Sequence, residues 1–217
     1  MPGTTTRARI ELYWWHRTRW VVRIMAKNAA TRRANGHPMP QASMDFNLAD
    51  SRGTEALGQA LARSFPAAAA GAGAGAAGGG AVVYLQGELG TGKTTCARSL
   101  LRALGVTGLV RSPTYTLVET YSLGALTCVH VDLYRLQALT EVDELGLRDL
   151  VGPGCLLLVE WPERGGAALP LADLNLTLLY AGDARQAWLR AETSLGSCWL
   201  KNLGHDRSLV PYVSNLT

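Results

Sequence analysis

An eight-residue stretch, Gly87-Glu88-Leu89-Gly90-Thr91-Gly92-Lys93-Thr94, limits what this chain can fold into more than any other. It has the spacing of a phosphate loop: glycine, four residues, then Gly-Lys-Thr. Gly87, Gly90 and Gly92 let the backbone curl until successive N–H groups converge on one phosphate. A helix opening near Lys93 directs its N-terminal dipole at the same anion. Lys93 has the reach for β- and γ-phosphates, and the Thr94 hydroxyl can ligate Mg²⁺. The motif carries this meaning only between a strand and a helix. Ala81-Val82-Val83-Tyr84-Leu85 supplies the apolar run before it, and Leu100, Leu101 and Leu104 supply an apolar helix face after it. A glycine-rich hairpin would match the glycines but not those flanks. The candidate phosphate-binding set is Gly87, Glu88, Leu89, Gly90, Thr91, Gly92, Lys93, Thr94 and Thr95.

The 217 residues, 47% of them hydrophobic, suffice for one good core rather than two. The formal charge of +4 is unevenly placed. Residues 1–43 hold eight Lys or Arg against the single acid Glu11, a local charge of +7. The remaining 13 basic and 16 acidic residues leave the rest of the chain at −3. A uniformly nucleic-acid-binding surface is therefore not indicated. Cys96, Cys128, Cys155 and Cys198 are widely spaced, with no metal-ligand pairing, so reduced and mostly buried thiols in a cytoplasmic protein are expected. No apolar run approaches transmembrane length, and no stable membrane association is expected.

Residues 1–43 form a basic, Trp-rich extension with apolar patches at 10–15 and 20–25. Three readings stand: an amphipathic membrane or partner helix, an arginine-rich organellar leader, or an upstream stretch of reading frame that is not translated. A single domain is expected over 44–203. It opens on a short edge strand at 45–48, then a helix capped by Ser51 or Thr54 with Leu57, Ala60 and Leu61 on one face, ended by Pro66. Residues 67–80 are almost all alanine and glycine and read as a flexible loop. After the phosphate loop come a helix over 94–104, strands over 116–121 and 126–131, and a helix near 140–145 capped at Thr140. A second short turn of helix covers 147–151. Cys155 to Val159 is apolar throughout, as a central strand covered on both faces must be. Two late strands, 174–180 and 186–191, precede a last helix over 193–203, and 204–217 reads as a frayed polar tail. The fold class is α/β, a P-loop NTPase-like three-layer arrangement with a mainly parallel central sheet and antiparallel additions.

Two acids stand at strand ends, where ligands bind in such sheets. Asp132 could hold Mg²⁺ directly or through water, or could merely cap a turn. Glu160 could support Mg²⁺ or polarise an attacking water, or could be a salt-bridged strand end. The candidate metal-side residues are thus Thr94, Asp132 and Glu160, and the candidate catalytic residues are Lys93, Asp132 and Glu160. Thr114 sits in a loop that could meet a γ-phosphate as a switch, or be a turn residue after Pro113. Trp161 serves as a base platform or a partner contact, or equally as core. His130 reads as a strand-packing residue with a satisfied ring, and Tyr134 and Arg135 as anchors for a partner or the switch, with Arg135 as an ion-pair partner of Glu141 or Glu144 the alternative. The residues alone allow a nucleotide triphosphatase, a small-molecule kinase, or a nucleotide-gated binding module without useful turnover. Residues 136–151 contain only Arg148, too few arginines for the usual kinase lid.

Residues 44–200 resemble the TsaE family of bacterial P-loop ATPases. The resemblance is carried by Thr54 with Leu57-Gly58, by Gly87 to Thr95, by Ser112-Pro113-Thr114-Tyr115, by His130-Val131-Asp132-Leu133-Tyr134-Arg135, and by Val159-Glu160-Trp161-Pro162-Glu163. Thr91 stands where the family more often has alanine, and the alanine–glycine loop is longer than usual. The resemblance implies binding and weak, partner-dependent hydrolysis of ATP with Mg²⁺. It implies TsaD and TsaB-like partners, with tRNA reached indirectly through them, in making threonylcarbamoyladenosine at tRNA position 37. It implies that Lys93 and Thr94 meet phosphate and Mg²⁺, that Asp132 and Glu160 support Mg²⁺ and hydrolysis, that Thr114 lies in a switch-like loop, and that Trp161 lies near the nucleotide.

Overall fold

The structure, a computed structural model, describes residues 42–66, 69, 80–136 and 138–213. The extension at 1–41 and nearly all of the alanine–glycine stretch therefore lie outside the described residues. Seven strands form one sheet: β1 (Ser43–Leu48), β2 (Ala81–Gln86), β3 (Val118–Leu123), β4 (Leu126–Asp132), β5 (Cys155–Glu160), β6 (Leu174–Ala181) and β7 (Ala184–Ala191). Their order is β1-β7-β6-β2-β5-β4-β3. The four central strands, β6-β2-β5-β4, are parallel, while β7, β1 and β3 add on antiparallel. This is the mixed α/β sheet expected from the sequence. Ser43, assigned to the extension from composition, is the first residue of β1 and lies opposite Arg190.

Strand pleat divides the core in two. Along β5, Leu156 and Leu158 face one side, and Cys155, Leu157 and Val159 the other, all buried. The first side is covered by α1 (Ser51–Arg63), α2 (Lys93–Leu104) and α5 (Ser194–Leu203), which bring Leu57, Leu61, Leu100, Leu101 and Trp199 onto the sheet. The second is covered by α3 (Leu139–Glu144), α4 (Leu147–Leu150) and two 3₁₀ turns at Pro162–Arg164 and Gly166–Ala168. The result is three layers.

Local chemistry departs from the sequence expectation at several ends. The cap of α1 is Asp50, not Ser51 or Thr54: its carboxylate accepts from the N–H groups of Arg52 (2.9 Å) and Gly53 (3.2 Å). An ionised side chain one residue earlier outcompetes the hydroxyls, and Thr54 turns inward instead, 2% exposed. The helix ends at Arg63 with Ser64 as its C-cap, as Pro66 two residues on requires, and the Ser64 hydroxyl adds a bond to Ala60 O at 2.7 Å. Helix α3 is entered at Ala138, whose N–H donates to Glu141 Oε1 at 3.0 Å, rather than capped by Thr140. Strand β3 starts at Val118, later than expected, because Leu117 takes φ +64 and closes a turn on Pro113 O. The stretch after Gly204 is not frayed as far as residue 213. Arg207–Tyr212 is a 3₁₀ helix with Leu209 buried, and Val213 bridges Phe46. Arg63 holds it through Asp206 (2.9 Å) and Ser208 (2.8 Å), a long-range tie that a polar composition conceals. Among the described residues no helix is long and apolar enough to cross a membrane.

Candidate nucleotide site

The parallel strands β2, β4 and β5 run in the same direction, so their carboxyl ends share one edge. Strand β2 ends into the glycine-rich loop, and α2 begins at Lys93. The loop needs glycine for space as well as for dihedral angle. A Cβ at Gly87 (φ +134) would lie 2.2 Å from Leu178 O, and one at Gly90 (φ +78) would lie 2.6 Å from the Tyr180 hydroxyl. Thr91 is 1% exposed, and its hydroxyl donates to Glu88 O at 2.9 Å, so the loop itself satisfies the group that alanine would lack. Thr95 occupies the third position of α2.

Lys93 lies almost wholly inside, 4% exposed. Its Nζ donates to Gly87 O at 2.7 Å and Glu88 O at 2.8 Å, and sits 3.9 Å from the centre of the Trp161 ring. Burial pulls the ammonium below its ordinary pKa, against the attraction of Glu160, Glu163 and Asp132. Trp161 follows β5 at φ +58, with its N–H donating to Leu85 O at 3.2 Å. Half-buried, it packs against the second core and meets the lysine, which agrees with the core reading of Trp161 and sets its ring beside the loop. Gln86, Gly87, Glu88, Leu89, Trp161, Glu163 and Leu179 line a cleft of about 440 Å³ beside the loop.

Register sets the acids. Asp132 and Glu160 are direct partners on neighbouring parallel strands, each 2% exposed. Glu160 Oε2 accepts from the Thr94 hydroxyl at 2.9 Å, and Oε1 pairs with His130 Nε2 at 2.9 Å. Asp132 Oδ2 accepts from the hydroxyls of Ser112 (2.5 Å) and Thr114 (2.7 Å), and Oδ1 accepts from Tyr134 N–H at 3.0 Å. The structure thus brings Lys93, Thr94, Asp132, Glu160 and Trp161 to one sheet edge and ties Thr114 to it through Asp132.

Three residues given no site role from sequence touch this cluster or its loop. Ser112 shares the Asp132 oxygen with Thr114, and its signal was a pair of hydroxyl residues flanking Pro113. The ring of His130 is satisfied on one side only: Nδ1 has no partner, contrary to expectation. Tyr180, not singled out at all, donates from its hydroxyl to Leu89 O at 2.7 Å and carries Arg185 over its ring at 4.3 Å. Arg135 stacks on Tyr115 at 4.2 Å, and Tyr134 packs on Trp161 at 5.0 Å, edging the same cluster with aromatic surface.

The donors fit a hard divalent cation: one hydroxyl and two carboxylates, all oxygen. Among the described residues no three His, Cys, Asp or Glu side chains form a ready cage. Mg²⁺ is commonly held that way, by one or two carboxylates with substrate phosphates and water completing its shell.

The chain is similar in sequence and fold to known proteins. The profile of the family described as "Threonylcarbamoyl adenosine biosynthesis protein TsaE" matches residues 48–187. A Haemophilus influenzae protein named tRNA threonylcarbamoyladenosine biosynthesis protein TsaE is 45% identical over 115 residues, 53% of this chain and 73% of its own length. Its namesake in Synechocystis is 39% identical over 130 residues, covering 58% and 74%. The crystal structure of Bacillus subtilis YdiB superposes with a TM-score of 0.58 at 25% identity, over 76% of this chain and 97% of that one. The matched span holds the phosphate loop, both strand-end acids and the Ser112–Thr114 loop, and on that basis the chain belongs to the TsaE family.

Proposed function

We propose that this chain binds Mg-ATP at the edge formed by β2, β4 and β5, and serves as the ATPase subunit for threonylcarbamoyladenosine modification of tRNA position 37. Hydrolysis resets or regulates a TsaB–TsaD transferase complex. The family description supports the pathway, and one observation carries the chemistry: the hydroxyl of Thr94, next to the buried Lys93, is hydrogen-bonded to the strand-end carboxylate Glu160. In that arrangement Lys93 supplies positive charge at phosphate height, and the loop backbone supplies N–H donors. Thr94 presents a hydroxyl oxygen, Asp132 holds the Ser112–Thr114 loop against the edge, and Glu160 offers a carboxylate to orient water. Mg²⁺, when bound, neutralises phosphate charge and orients the leaving group.

The test is an ATPase assay of this chain alone and with TsaB and TsaD from the same source, with tRNA modification read in parallel. Slow hydrolysis alone, stimulation by the pair, and ATP-dependent restoration of modification are expected. Modification that proceeds equally without this chain would overturn the reading, as would phosphate transfer to a small acceptor with no partner present.

A further inference from the structure

We infer that His130 is a positioning residue for Glu160, fixing which carboxylate oxygen faces Thr94; the inference rests on the Mg-ATP reading above. His130 is wholly buried in β4, two residues before Asp132 and on the same face of the strand. Its Nε2 lies 2.9 Å from Glu160 Oε1, and a carboxylate only accepts, so Nε2 carries the proton and donates. The opposite oxygen, Oε2, takes the Thr94 hydroxyl. Thr94, Glu160 and His130 therefore form a three-member chain running inward from the first turn of α2.

Two features set this imidazole apart from core filling. Cys128 and Leu158, its same-face neighbour on β4 and its partner on β5, are buried and apolar, while Asp132 on β4 and Glu119, the β3 partner of His130, are acids, so the ring stands where the apolar core meets the carboxylates of the site. Nδ1 is buried with no hydrogen-bond partner, a cost that an apolar side chain would avoid. What the ring does provide is the second anchor of Glu160. The terminal torsion of a glutamate is broad and two-fold, so with Thr94 as its sole partner either oxygen could take the hydroxyl and the carboxylate plane would turn. With Nε2 on Oε1, the plane is held and Oε2 alone points at the site. The same logic orients ligand side chains in metal centres from one layer further out.

The experiment compares His130→Gln with His130→Asn in the full chain, assayed with TsaB, TsaD and tRNA. The glutamine amide nitrogen reaches the place of Nε2, while asparagine ends near Nδ1 and cannot reach Glu160. Melting temperature and equilibrium ADP affinity are measured on both. His130→Asn should lower kcat by about tenfold or more with ADP affinity and ATP KM unchanged, and His130→Gln should recover most of that loss. Where the asparagine variant melts below the assay temperature, His130→Leu takes its place as the donor-free arm. Wild-type kcat in the donor-free variant overturns the inference. So does an equal fall in both variants, or a loss of ADP affinity that parallels kcat, since each describes a packing role. A wild-type chain that neither binds nor hydrolyses Mg-ATP would sink the nucleotide reading itself, and the role of His130 with it; intact wild-type turnover with an indifferent His130 removes the role alone.

Discussion

Lys93 shows how much one residue's setting can differ from its motif. The spacing of glycines announced a phosphate-binding lysine; the structure adds that its ammonium is buried, held by two loop carbonyls and covered by the Trp161 ring. Truncation removes that charge and leaves the Trp161 ring and both carbonyls without it. Lys93→Ala is expected to weaken ATP binding by about a hundredfold, the worth of a charged hydrogen bond, in equilibrium titration with ATP or ADP. Unchanged affinity in that variant would place the nucleotide elsewhere. Asp132 and Glu160 were legible because an acid ending an apolar run is conspicuous. The partners of those acids were not. Whether Glu160 meets His130, thirty residues away, depends on the register of β4 against β5 and on pleat parity, neither of which a single strand reveals. Ser112 was hidden for a related reason: its bond to Asp132 spans a turn closed by Leu117 at φ +64, a conformation that leucine does not advertise.

Among the elements, those with strong periodicity were read well and their ends less so. Strand β5, α2 and the β6–β7 hairpin follow from an apolar run, a 3.6-residue pattern and a Gly-Asp turn. Caps compete over one or two residues, so Asp50 displaced Ser51, and Glu141 reaching back to Ala138 displaced Thr140. The tail after Gly204 was misread because its anchors, Arg63 and Phe46, lie far upstream. The contact that matters most between elements is α1 against α2. Gly58 faces α2 so closely that an added Cβ would lie 2.4 Å from Cys96 O and 2.9 Å from Ser99 Cβ. Backbone cannot yield as a side-chain tip can, so α1 would have to back away from the helix that starts at Lys93. Gly58→Ala should therefore destabilise the fold by about 1–3 kcal/mol, read as a lowered melting temperature, despite the better helix propensity of alanine. A variant that melts at or above wild type would show that the two helices can part freely.

For the molecule as a whole, the four cysteines offer a direct check on how the core is closed. Cys96 and Cys128 are buried, and burial pushes both thiols up to about 12; burial also raises Cys155, while Cys198 is exposed on α5. The thiolate is the reactive form, so burial shields and disfavours reaction at those three, while Cys198 stands open to reagent. Near neutral pH a disulfide reagent should titrate Cys198 quickly and the other three only after unfolding. Rapid reaction of a second thiol in the native chain would show that the α2 face or the β4–β5 edge opens. The three-layer order was itself legible, since β5 is apolar at every position but its last and needed cover on both sides. The division of that cover, with α1, α2 and α5 on one face and α3 and α4 on the other, was not, because apolar stripes do not record which side of a sheet a helix takes.

Strand β2 joins two very different ends. Gly80 leads into it from the alanine–glycine stretch, and Gln86 leads out of it into the phosphate loop, six residues and about 20 Å further on. The proposed nucleotide edge therefore stands a full strand's length from Gly80. Strain introduced at the first end of β2 would have to travel the whole strand, through its ladders with β5 and β6, before it reached the proposed nucleotide edge.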